Sequence, residues 1–298
     1  MKLLLAAVIL LTSSMGWAET WQPSSEPPAQ KGEFRRKRSK VNAKLGSEHH
    51  SAVDVVVGVG RNATVEGKFA YSKVSKDLEH EDVSLWLLAG KRWKKVTTSR
   101  TNDDGRALFR DPGRYLRRAG AHHFTLVVHG DGTRASGTIW AVARGSKAVV
   151  FDIDGTLTTG DDEIVDNAVT GDPVEMRPDS NTLAKHWVSR GALPLYLTGR
   201  PYMFNASTRR WLVSRGFPPG PLVTVKFVGQ AAPTEGGVGG FKERWIRRTI
   251  QNVGVAVLAA YGNAKTDVCA FARAGIHPAS TFIVGKNGGK RCKGHQPT

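Results

Sequence analysis

An apolar run that ends in two closely spaced aspartates limits the fold of this 298-residue chain more than any other feature. From Ala148 the sequence reads Ala-Val-Val-Phe-Asp-Ile-Asp-Gly-Thr, so that Asp152 and Asp154 follow four apolar residues. A strand that is apolar on both faces has to be covered on both sides, as in the parallel sheets of α/β proteins. The run therefore predicts a buried parallel strand with both aspartates at its carboxyl end.

Strand and helix patterns alternate from residue 146 to about residue 290. We predict strands at 193–197, 222–228, 255–261 and 281–285, and helices at 180–190, through 211–212, at 241–251 and at 266–274. Asp179 or Ser180 is suited to cap the first of these helices. Short crossovers of this kind predict a doubly wound, mostly parallel α/β sheet, in which ligands bind at the carboxyl ends of the strands.

Short β-rich runs separated by turn residues precede this region, between residues 47 and 145. The runs lie at 53–59, 65–71, 83–88, 122–128 and 137–142. Their regular spacing is typical of a small all-β sandwich. No residue pattern in this part of the chain indicates catalysis.

The pair Asp152 and Asp154 suits phosphoryl transfer. One carboxylate can attack phosphorus and form an aspartyl-phosphate, while the other protonates the leaving oxygen and later activates water. Because two carboxylates repel a phosphate, we expect a bridging divalent cation, and Mg²⁺ fits carboxylate and water ligands. The alternative is a surface pair in a turn, but the apolar strand before it and the Gly-Thr-Leu-Thr after it favour a site.

Two further positions can hold phosphate oxygens. The Thr198 hydroxyl and the Gly199 backbone N–H end a predicted strand in Leu-Thr-Gly-Arg, with Arg200 next to them. Lys242 begins a predicted helix after a Gly-rich loop and could neutralise charge on a transferring phosphoryl group. Taken alone, the first is an ordinary strand-to-helix turn and the second is a surface lysine.

Asn263 and Asp267 follow the fourth predicted strand of this region. An amide oxygen and a carboxylate at this edge of the sheet could complete a metal site. Asp267 is equally compatible with a residue in the first turn of a helix, where a negative charge is favourable.

These four clusters, in this order and on this alternation, resemble the haloacid-dehalogenase superfamily over residues 146–290. The resemblance implies an aspartyl-phosphate mechanism with Mg²⁺ as cofactor. It departs at Asn263, where an acidic residue is more common. The roles that it implies are nucleophile for Asp152, acid/base for Asp154, phosphate ligands for Thr198 and Lys242, and metal-side residues for Asn263 and Asp267.

A narrower resemblance rests on Asp-Ile-Asp-Gly-Thr-Leu-Thr at 152–158, Leu-Thr-Gly-Arg-Pro at 197–201 and Ala-Tyr-Gly-Asn at 260–263. These motifs look like the lipin/Ned1/Smp2 (LNS2) domain. That domain occurs in lipin phosphatidate phosphatases and, in a form associated with phosphatidate binding, in membrane-associated phosphatidylinositol transfer proteins. The stretch 198–220 looks closer to the transfer proteins, whereas both carboxylates are present, as in the enzymes. A β-sandwich accompanies the domain in these families.

The N-terminal segment of the chain indicates export. A basic start, an apolar stretch at 3–11 and a small residue at Ala18 predict a signal peptide at 1–18 and a secreted or periplasmic protein. Cys269 and Cys292, the only cysteines, would form one disulfide in an oxidising compartment or else remain free. Residues 291–298 are predicted to be a tail.

Residues 19–46 are rich in Pro, Ser, Lys and Arg and predict a disordered basic linker. The basic run at 35–40 is either a solvated segment or an attraction to anionic lipid, worth roughly 1 kcal/mol per basic residue near such a surface. The net charge of +17 favours anionic partners in general. No zinc spacing, recognition helix or RNA-binding signature is present, so nucleic acid is not an expected partner.

Three functions fit these observations. The first is a secreted Mg²⁺-dependent phosphomonoesterase that acts on phosphatidate or a related phospholipid at a membrane. The second is a module that binds phosphatidate without turnover. The third is a phosphatase for phosphoproteins or small phosphate esters, because only about 25 residues separate Asp154 from the next helix, too few for a large cap.

Overall fold

A computed structural model describes residues 20–28, 32–71, 76–110, 113–160, 174–227 and 231–297. The signal peptide predicted at 1–18 lies outside these ranges, and so do most of the residues between Asp154 and the next helix. Within the described ranges, no helix is both long and apolar enough to cross a membrane.

The N-terminal half is a sandwich of antiparallel-rich sheets. A three-stranded sheet has the order β1-β3-β8, a five-stranded sheet has the order β2-β10-β9-β6-β7, and β4 pairs with β5. The strands are β1 (Ser51–Ala52), β2 (Val55–Gly58), β3 (Thr64–Lys68), β4 (Ala70–Tyr71), β5 (Lys76–Asp77), β6 (Asp82–Ala89), β7 (Arg92–Arg100), β8 (Arg106–Arg110), β9 (Gly120–Val128) and β10 (Arg134–Val142). Their inward-facing side chains form one core, which includes Val65, Leu85, Phe109 and Phe124.

Four of these strands were not expected from the sequence, namely the two-residue strands β1 and β5 and the longer strands β7 and β8. β7 reads Arg-Trp-Lys-Lys-Val-Thr-Thr-Ser-Arg and none of its residues is buried, because it lies at the edge of its sheet. Lysines on an edge strand discourage pairing with another chain. Such a strand has little of the apolar alternation by which strands are recognised in a sequence.

The C-terminal half is a parallel five-stranded sheet with helices on both faces. Its order is β13-β12-β11-β14-β15, and every pair is parallel. The strands are β11 (Lys147–Asp152), β12 (Leu193–Pro201), β13 (Leu222–Val225), β14 (Ala256–Gly262) and β15 (Thr281–Ile283). The helices are α2 (Ser180–Ser189), α3 (Asn205–Ser214), α4 (Gly240–Arg248) and α5 (Lys265–Arg273). The predicted α/β fold after a β-sandwich is confirmed.

The central strand β11 is buried on both faces, as its sequence requires. Val149 and Phe151 pack on the side of α2 and α3, whereas Ala148 and Val150 pack on the side of α4 and α5. Because side chains alternate along a strand, a continuous apolar run serves both layers at once. This packing fixes the carboxyl end of β11, and with it Asp152, at the centre of the sheet edge.

The two halves share an interface around β2 and β10. Val56 and Trp140 of the sandwich belong to the same apolar cluster as Val150. The buried carboxylate of Asp54 accepts hydrogen bonds from Arg209 Nη2 at 2.9 Å and from the backbone N of Leu222 at 2.9 Å, both in the α/β half. Its other oxygen accepts from the backbone N of Thr138, at 2.8 Å. One buried carboxylate thus ties both halves together.

The disordered linker predicted for residues 19–46 is wrong for the described part of that segment. Residues Lys37–Leu45 form helix α1, and Phe34 packs against the sandwich core. The backbone N–H groups of Arg35 and Arg36 donate to the Glu81 carboxylate at 2.8 and 2.9 Å. The segment is ordered because its basic residues contact the acidic stretch at 79–82, which lies about 45 residues further along the chain.

Ion pairs with the same acidic stretch neutralise part of the basic run at 35–40, for which an attraction to anionic lipid was one interpretation. Arg36 and Arg38 form ion pairs with Glu79, at 3.0 and 3.4 Å, and Arg35 pairs with Asp82 at 3.2 Å. Exposed pairs of this kind contribute little stability. They nevertheless reduce the net charge that the run presents, and its role at a membrane stays a prediction.

Two local expectations are settled by the structure. Asp179 precedes α2 with a φ of 60° and its side chain makes no capping hydrogen bond, so the predicted cap is wrong. Ser180 instead donates from its hydroxyl to the Arg177 carbonyl at 2.8 Å. Cys269 and Cys292, left open by the sequence, form a disulfide that ties the C-terminal segment to α5.

Candidate active site at the carboxyl edge of the parallel sheet

The carboxyl edge of the parallel sheet brings together the candidate site residues, which lie in distant segments of the sequence. Asp152 ends β11, and Thr198 lies near the end of the neighbouring strand β12. Lys242 lies in the first turn of α4, and Asp267 lies in the first turn of α5. The convergence follows from the topology, since the carboxyl ends of parallel strands meet at one edge.

Lys242 links two buried carboxylates at the centre of the site. Its Nζ lies 2.5 Å from Asp152 Oδ1 and 2.6 Å from Asp267 Oδ1, and its side chain is 4% exposed. Burial raises the pKa of Asp152 well above its ordinary value, the Asp267 carboxylate adds to the rise, and Lys242 opposes it. Burial alone would lower the pKa of Lys242, but the two carboxylates raise it, so the lysine stays charged.

Asp267 organises the loop after β14. Its Oδ2 accepts hydrogen bonds from the backbone N–H groups of Asn263, at 3.1 Å, and Ala264, at 3.0 Å. A Cβ on Gly262 would lie 2.6 Å from the Asp267 Cβ, so only glycine permits this approach. Both carboxylate oxygens of Asp267 therefore have donors from the chain, which gives it a positioning role; its service as a metal ligand stays a prediction.

Asp154 is held by the adjacent strand. Its Oδ1 accepts a hydrogen bond from Arg200 Nε at 2.7 Å, and the same oxygen lies 2.5 Å from Arg200 Nη2 in an ion pair. Its Oδ2 accepts from the Thr198 hydroxyl at 2.6 Å. The Arg200 backbone N–H donates to the same hydroxyl at 3.0 Å, and Arg200 Nη1 donates to Thr208 at 3.1 Å. Thr198 and Arg200, predicted to hold substrate, both contact Asp154 in this arrangement.

Two glycines shape the backbone of the site. Gly155 turns the chain away after Asp154 with a φ of 68°, a conformation that side chains disfavour. A Cβ on Gly199 would lie 2.7 Å from a Val238 methyl group, because the loop before α4 packs against this turn. That contact fixes the loop that places Lys242.

The oxygens available for a cation are hard donors. The Thr156 hydroxyl lies 3.2 Å from Asp152 Oδ2 and 3.4 Å from Asn263 Oδ1, so both oxygens lie near this hydroxyl. Carboxylate and amide oxygens are of the kind that suits Mg²⁺ rather than a soft metal. In the described part of the chain, no group of three or more His, Cys, Asp or Glu side chains is arranged to hold a metal. Binding of Mg²⁺ beside Asp152 and Asn263 stays a prediction.

The sequence did not reveal the role of Arg177, which holds the turn after Asp154 in place. Arg177 donates from Nη2 to the Gly155 carbonyl at 2.8 Å and from Nε to the Thr156 carbonyl at 3.0 Å. Thr158 accepts from the Gly155 N–H at 2.9 Å. Thr158 belongs to a recognisable motif, but Arg177 lies 21 and 22 residues beyond its partners and no local pattern marks it.

Family models match both halves of the chain. Residues 48–141 match the model described as PITM 1-3, beta-sandwich domain, and residues 149–285 match the model described as PITM 1-3, LNS2 domain. Two solved structures of the Pnkp1/Rnl/Hen1 RNA repair complex align over 47% of this chain and over 45% and 42% of theirs, with 18% and 23% identity. Their TM-scores of 0.36 and 0.38 carry no inference about function.

Curated relatives agree with the family models. Human membrane-associated phosphatidylinositol transfer protein 1 is 31% identical over 275 residues, which cover 90% of this chain and 21% of the relative. Protein retinal degeneration B of Drosophila melanogaster is 29% identical over 272 residues, with coverages of 90% and 20%. Membrane-associated phosphatidylinositol transfer protein 3 of Mus musculus is 27% identical over 270 residues, with coverages of 89% and 26%.

The chain spans about a fifth to a quarter of the length of these relatives. The matched segments nevertheless cover the sandwich and the sheet edge that carries Asp152, Lys242 and Asp267. Residues 48–141 and 149–285 of this chain are thus similar to the beta-sandwich and LNS2 domains of the PITM 1-3 family.

Proposed function

We propose that the LNS2 domain of this chain is a Mg²⁺-dependent phosphomonoesterase that acts on phosphatidate or a related phospholipid. The observation that carries the proposal is the Asp152 carboxylate, which lies 2.5 Å from Lys242 Nζ at the carboxyl edge of the sheet, with Asp154 two residues away. The human and mouse relatives are named for phosphatidylinositol transfer, which supports a phospholipid as the substrate class.

The chemistry requires two displacements at phosphorus. An Asp152 oxygen attacks, the bond from phosphorus to the ester oxygen breaks, and a proton from Asp154 goes to the leaving alcohol. Asp154 then takes a proton from water, the water oxygen bonds to phosphorus, and the bond to Asp152 breaks. Arg200 and the Thr198 hydroxyl position the Asp154 carboxylate for these proton transfers.

Charge at the site explains why a cation is needed. Asp152, Asp154 and Asp267 face two cations, Lys242 and Arg200, so the cluster has one more carboxylate than cation. A phosphate dianion would be repelled by this balance. When bound beside Asp152 and Asn263, Mg²⁺ would supply the missing positive charge and neutralise phosphate oxygens.

Two observations support function outside the cytosol. The predicted signal peptide at 1–18 would direct export, and the Cys269–Cys292 disulfide suits an oxidising compartment. We therefore propose that the protein acts in a secreted or periplasmic setting, on lipid exposed at that side of a membrane.

A second candidate function is binding of phosphatidate without turnover. It is favoured by the contacts of Asp154, because Arg200 and the Thr198 hydroxyl already occupy the two carboxylate oxygens that the first displacement would use. Under this alternative, the same Lys242 and Mg²⁺ hold the phosphate, and Asp154 serves to keep Arg200 in place.

Phosphate release by the purified protein decides between these functions. The substrates are phosphatidate in mixed micelles, an aryl phosphate, a phosphopeptide and a nucleotide, each with Mg²⁺ and with a chelator. Asp152→Asn removes the nucleophile, and Asp103→Asn is the matched control because its side chain is 87% exposed in a sandwich turn. We expect release from phosphatidate that requires Mg²⁺, is lost in Asp152→Asn and is unchanged in Asp103→Asn.

The other outcomes point elsewhere. Release from all four substrates would indicate a general phosphatase with an open site. Retained binding to phosphatidate vesicles with no release from any substrate would establish the binding function and contradict the enzyme.

A further inference from the structure

A cavity lies between the sandwich and the α/β half, separate from the carboxylate cluster. Its volume is about 740 Å³, within the range of about 300–1,000 Å³ that is usual for small-molecule sites, and such sites favour domain interfaces. Val55 and Leu108 line it from the sandwich, and Phe241, Trp245 and Val253 line it from the α/β half. The walls thus include an apolar, partly aromatic surface beside polar and charged residues.

Helix α4 separates this cavity from the proposed active site. Phe241, Trp245 and Arg248 are spaced at i, i+4 and i+7 and form the helix face that lines the cavity. Lys242 and Ile246 lie on the neighbouring face, where Lys242 contacts Asp152. A ligand in the cavity would therefore contact the helix that carries the catalytic lysine without occupying the phosphate site.

The walls carry more positive than negative charge. Four cations line the cavity, against two carboxylates, Asp54 and Glu66. Asp54 is bound by Arg209, and Glu66 is bound by two of the lining cations. Arg248 is exposed, and among the described residues it has no ion-pair partner. The four cations are Arg100, Arg106, Lys226 and Arg248.

Two buried polar atoms in the wall have no hydrogen-bond partner within the described part of the chain. One is Oγ1 of Thr224, a residue that is 2% exposed, and the other is Nε of Arg106, whose side chain is 10% exposed. A buried polar group without a partner costs about 1–3 kcal/mol. A ligand oxygen that bonded to either group would remove this cost.

We infer that this cavity binds an amphiphile with an anionic head group and an aliphatic chain. The aromatic and aliphatic walls suit the chain, the excess of cations suits the anion, and the Thr224 hydroxyl and Arg106 N–H suit its oxygens. Arg100 is paired with Asp82, and Arg106 and Lys226 are paired with Glu66, so that a neutral apolar ligand would leave Arg248 and the orphaned atoms without a partner among the described residues. A hydrophilic anion would leave the aromatic wall in contact with water.

Trp245 provides a direct measurement of binding, because bromine quenches indole fluorescence at short range. The probes are dibrominated stearate, its neutral methyl ester, and phosphatidate with dibrominated chains, which together distinguish a free fatty acid from a phospholipid as the source of the anion. We expect saturable quenching by at least one anionic probe, about tenfold weaker binding of the ester, and loss of most quenching in Trp245→Phe.

Matched substitutions locate the site. Leu108 and Val213 are both 49% exposed, but only Leu108 lines the cavity, so Leu108→Asp should weaken binding about tenfold while Val213→Asp leaves it unchanged. Thr224→Val should weaken binding without lowering thermal stability, because the hydroxyl has no partner in the described chain. Calorimetry gives the dissociation constant of Trp245→Phe, which should stay close to the unsubstituted value.

The inference fails if quenching does not saturate, if Trp245→Phe is quenched as strongly as the unsubstituted protein, or if Leu108→Asp and Val213→Asp behave alike. The titrations with dibrominated stearate are repeated with Asp152→Asn, which should bind this probe unchanged because Asp152 does not line the cavity. The binding result for this cavity can therefore be interpreted even if the protein releases no phosphate from any substrate.

Discussion

Replacement of Lys242 by methionine isolates the charge that holds the site together. Methionine retains most of the volume of the buried side chain and removes the ammonium that lies 2.5 Å from Asp152 and 2.6 Å from Asp267. Two buried carboxylates are then left without their shared cation. Breaking a buried ion pair by removing one partner costs about 3–5 kcal/mol, so Lys242→Met should lower the free energy of unfolding by about that amount at pH 7.

The loss should depend on pH with a definite sign. Without the lysine, the folded-state pKa of Asp152 rises further above the unfolded-state value of about 4. The deficit is then fully present above the raised folded pKa of Asp152 and disappears as the pH falls to the unfolded value, where Asp152 is protonated in both states. Lys242→Met should therefore approach the stability of the unsubstituted protein near pH 4.

Urea denaturation at a series of pH values, followed by circular dichroism, measures this effect. Lys265→Met is the control, because Lys265 is exposed on α5 and its loss should change stability by less than about 0.5 kcal/mol. Adding Asp152→Asn to Lys242→Met should recover a large part of the lost stability, since one uncompensated carboxylate is gone. A loss below about 1 kcal/mol, or a loss independent of pH, would refute the reasoning.

Three other substitutions test the framework around the site. Asp54→Asn should lower the free energy of unfolding by about 2–4 kcal/mol in urea denaturation, because it leaves a buried arginine without its carboxylate; an unchanged value would show that the two halves do not depend on this link. Gly262→Ala should cost about 1–3 kcal/mol in thermal unfolding, because the new methyl group collides with Asp267, and an equal melting temperature would contradict the close approach. Cys292→Ser should cost about 3 kcal/mol, because Cys269 and Cys292 close a segment with a sequence separation of 23, and alkylation of either cysteine without reductant would disprove the bridge.

The parts of the fold that the sequence predicted are those whose signals are local. β11 is recognisable because both of its faces are buried, and the order of strands and helices follows from the alternation of short apolar runs. Asp152, Thr198, Lys242 and Asp267 could be placed together because each lies at a strand end or helix start, positions that a parallel sheet brings to one edge.

The parts that were missed depend on partners far away in the chain. Helix α1 is ordered by Glu81, 45 residues after Arg36, and Arg177 reaches back 22 residues to the turn after Asp154. The ion pair between Arg200 and Asp154 joins one strand to the segment that follows its neighbour. A single sequence shows none of these pairs, since it reveals the chemistry of each side chain but not the distance between them.

The covalent step on Asp152 is the most direct test of the proposed phosphatase. The protein is mixed with Mg²⁺ and phosphatidate micelles, quenched in acid within milliseconds to seconds, digested and examined by mass spectrometry for a phosphate on the peptide that contains Asp152. We predict a phosphorylated Asp152 that appears before free phosphate and is absent from Asp152→Asn. Release of phosphate without this modification, or at an undiminished rate in Asp152→Asn, would contradict the assignment of Asp152 as the nucleophile.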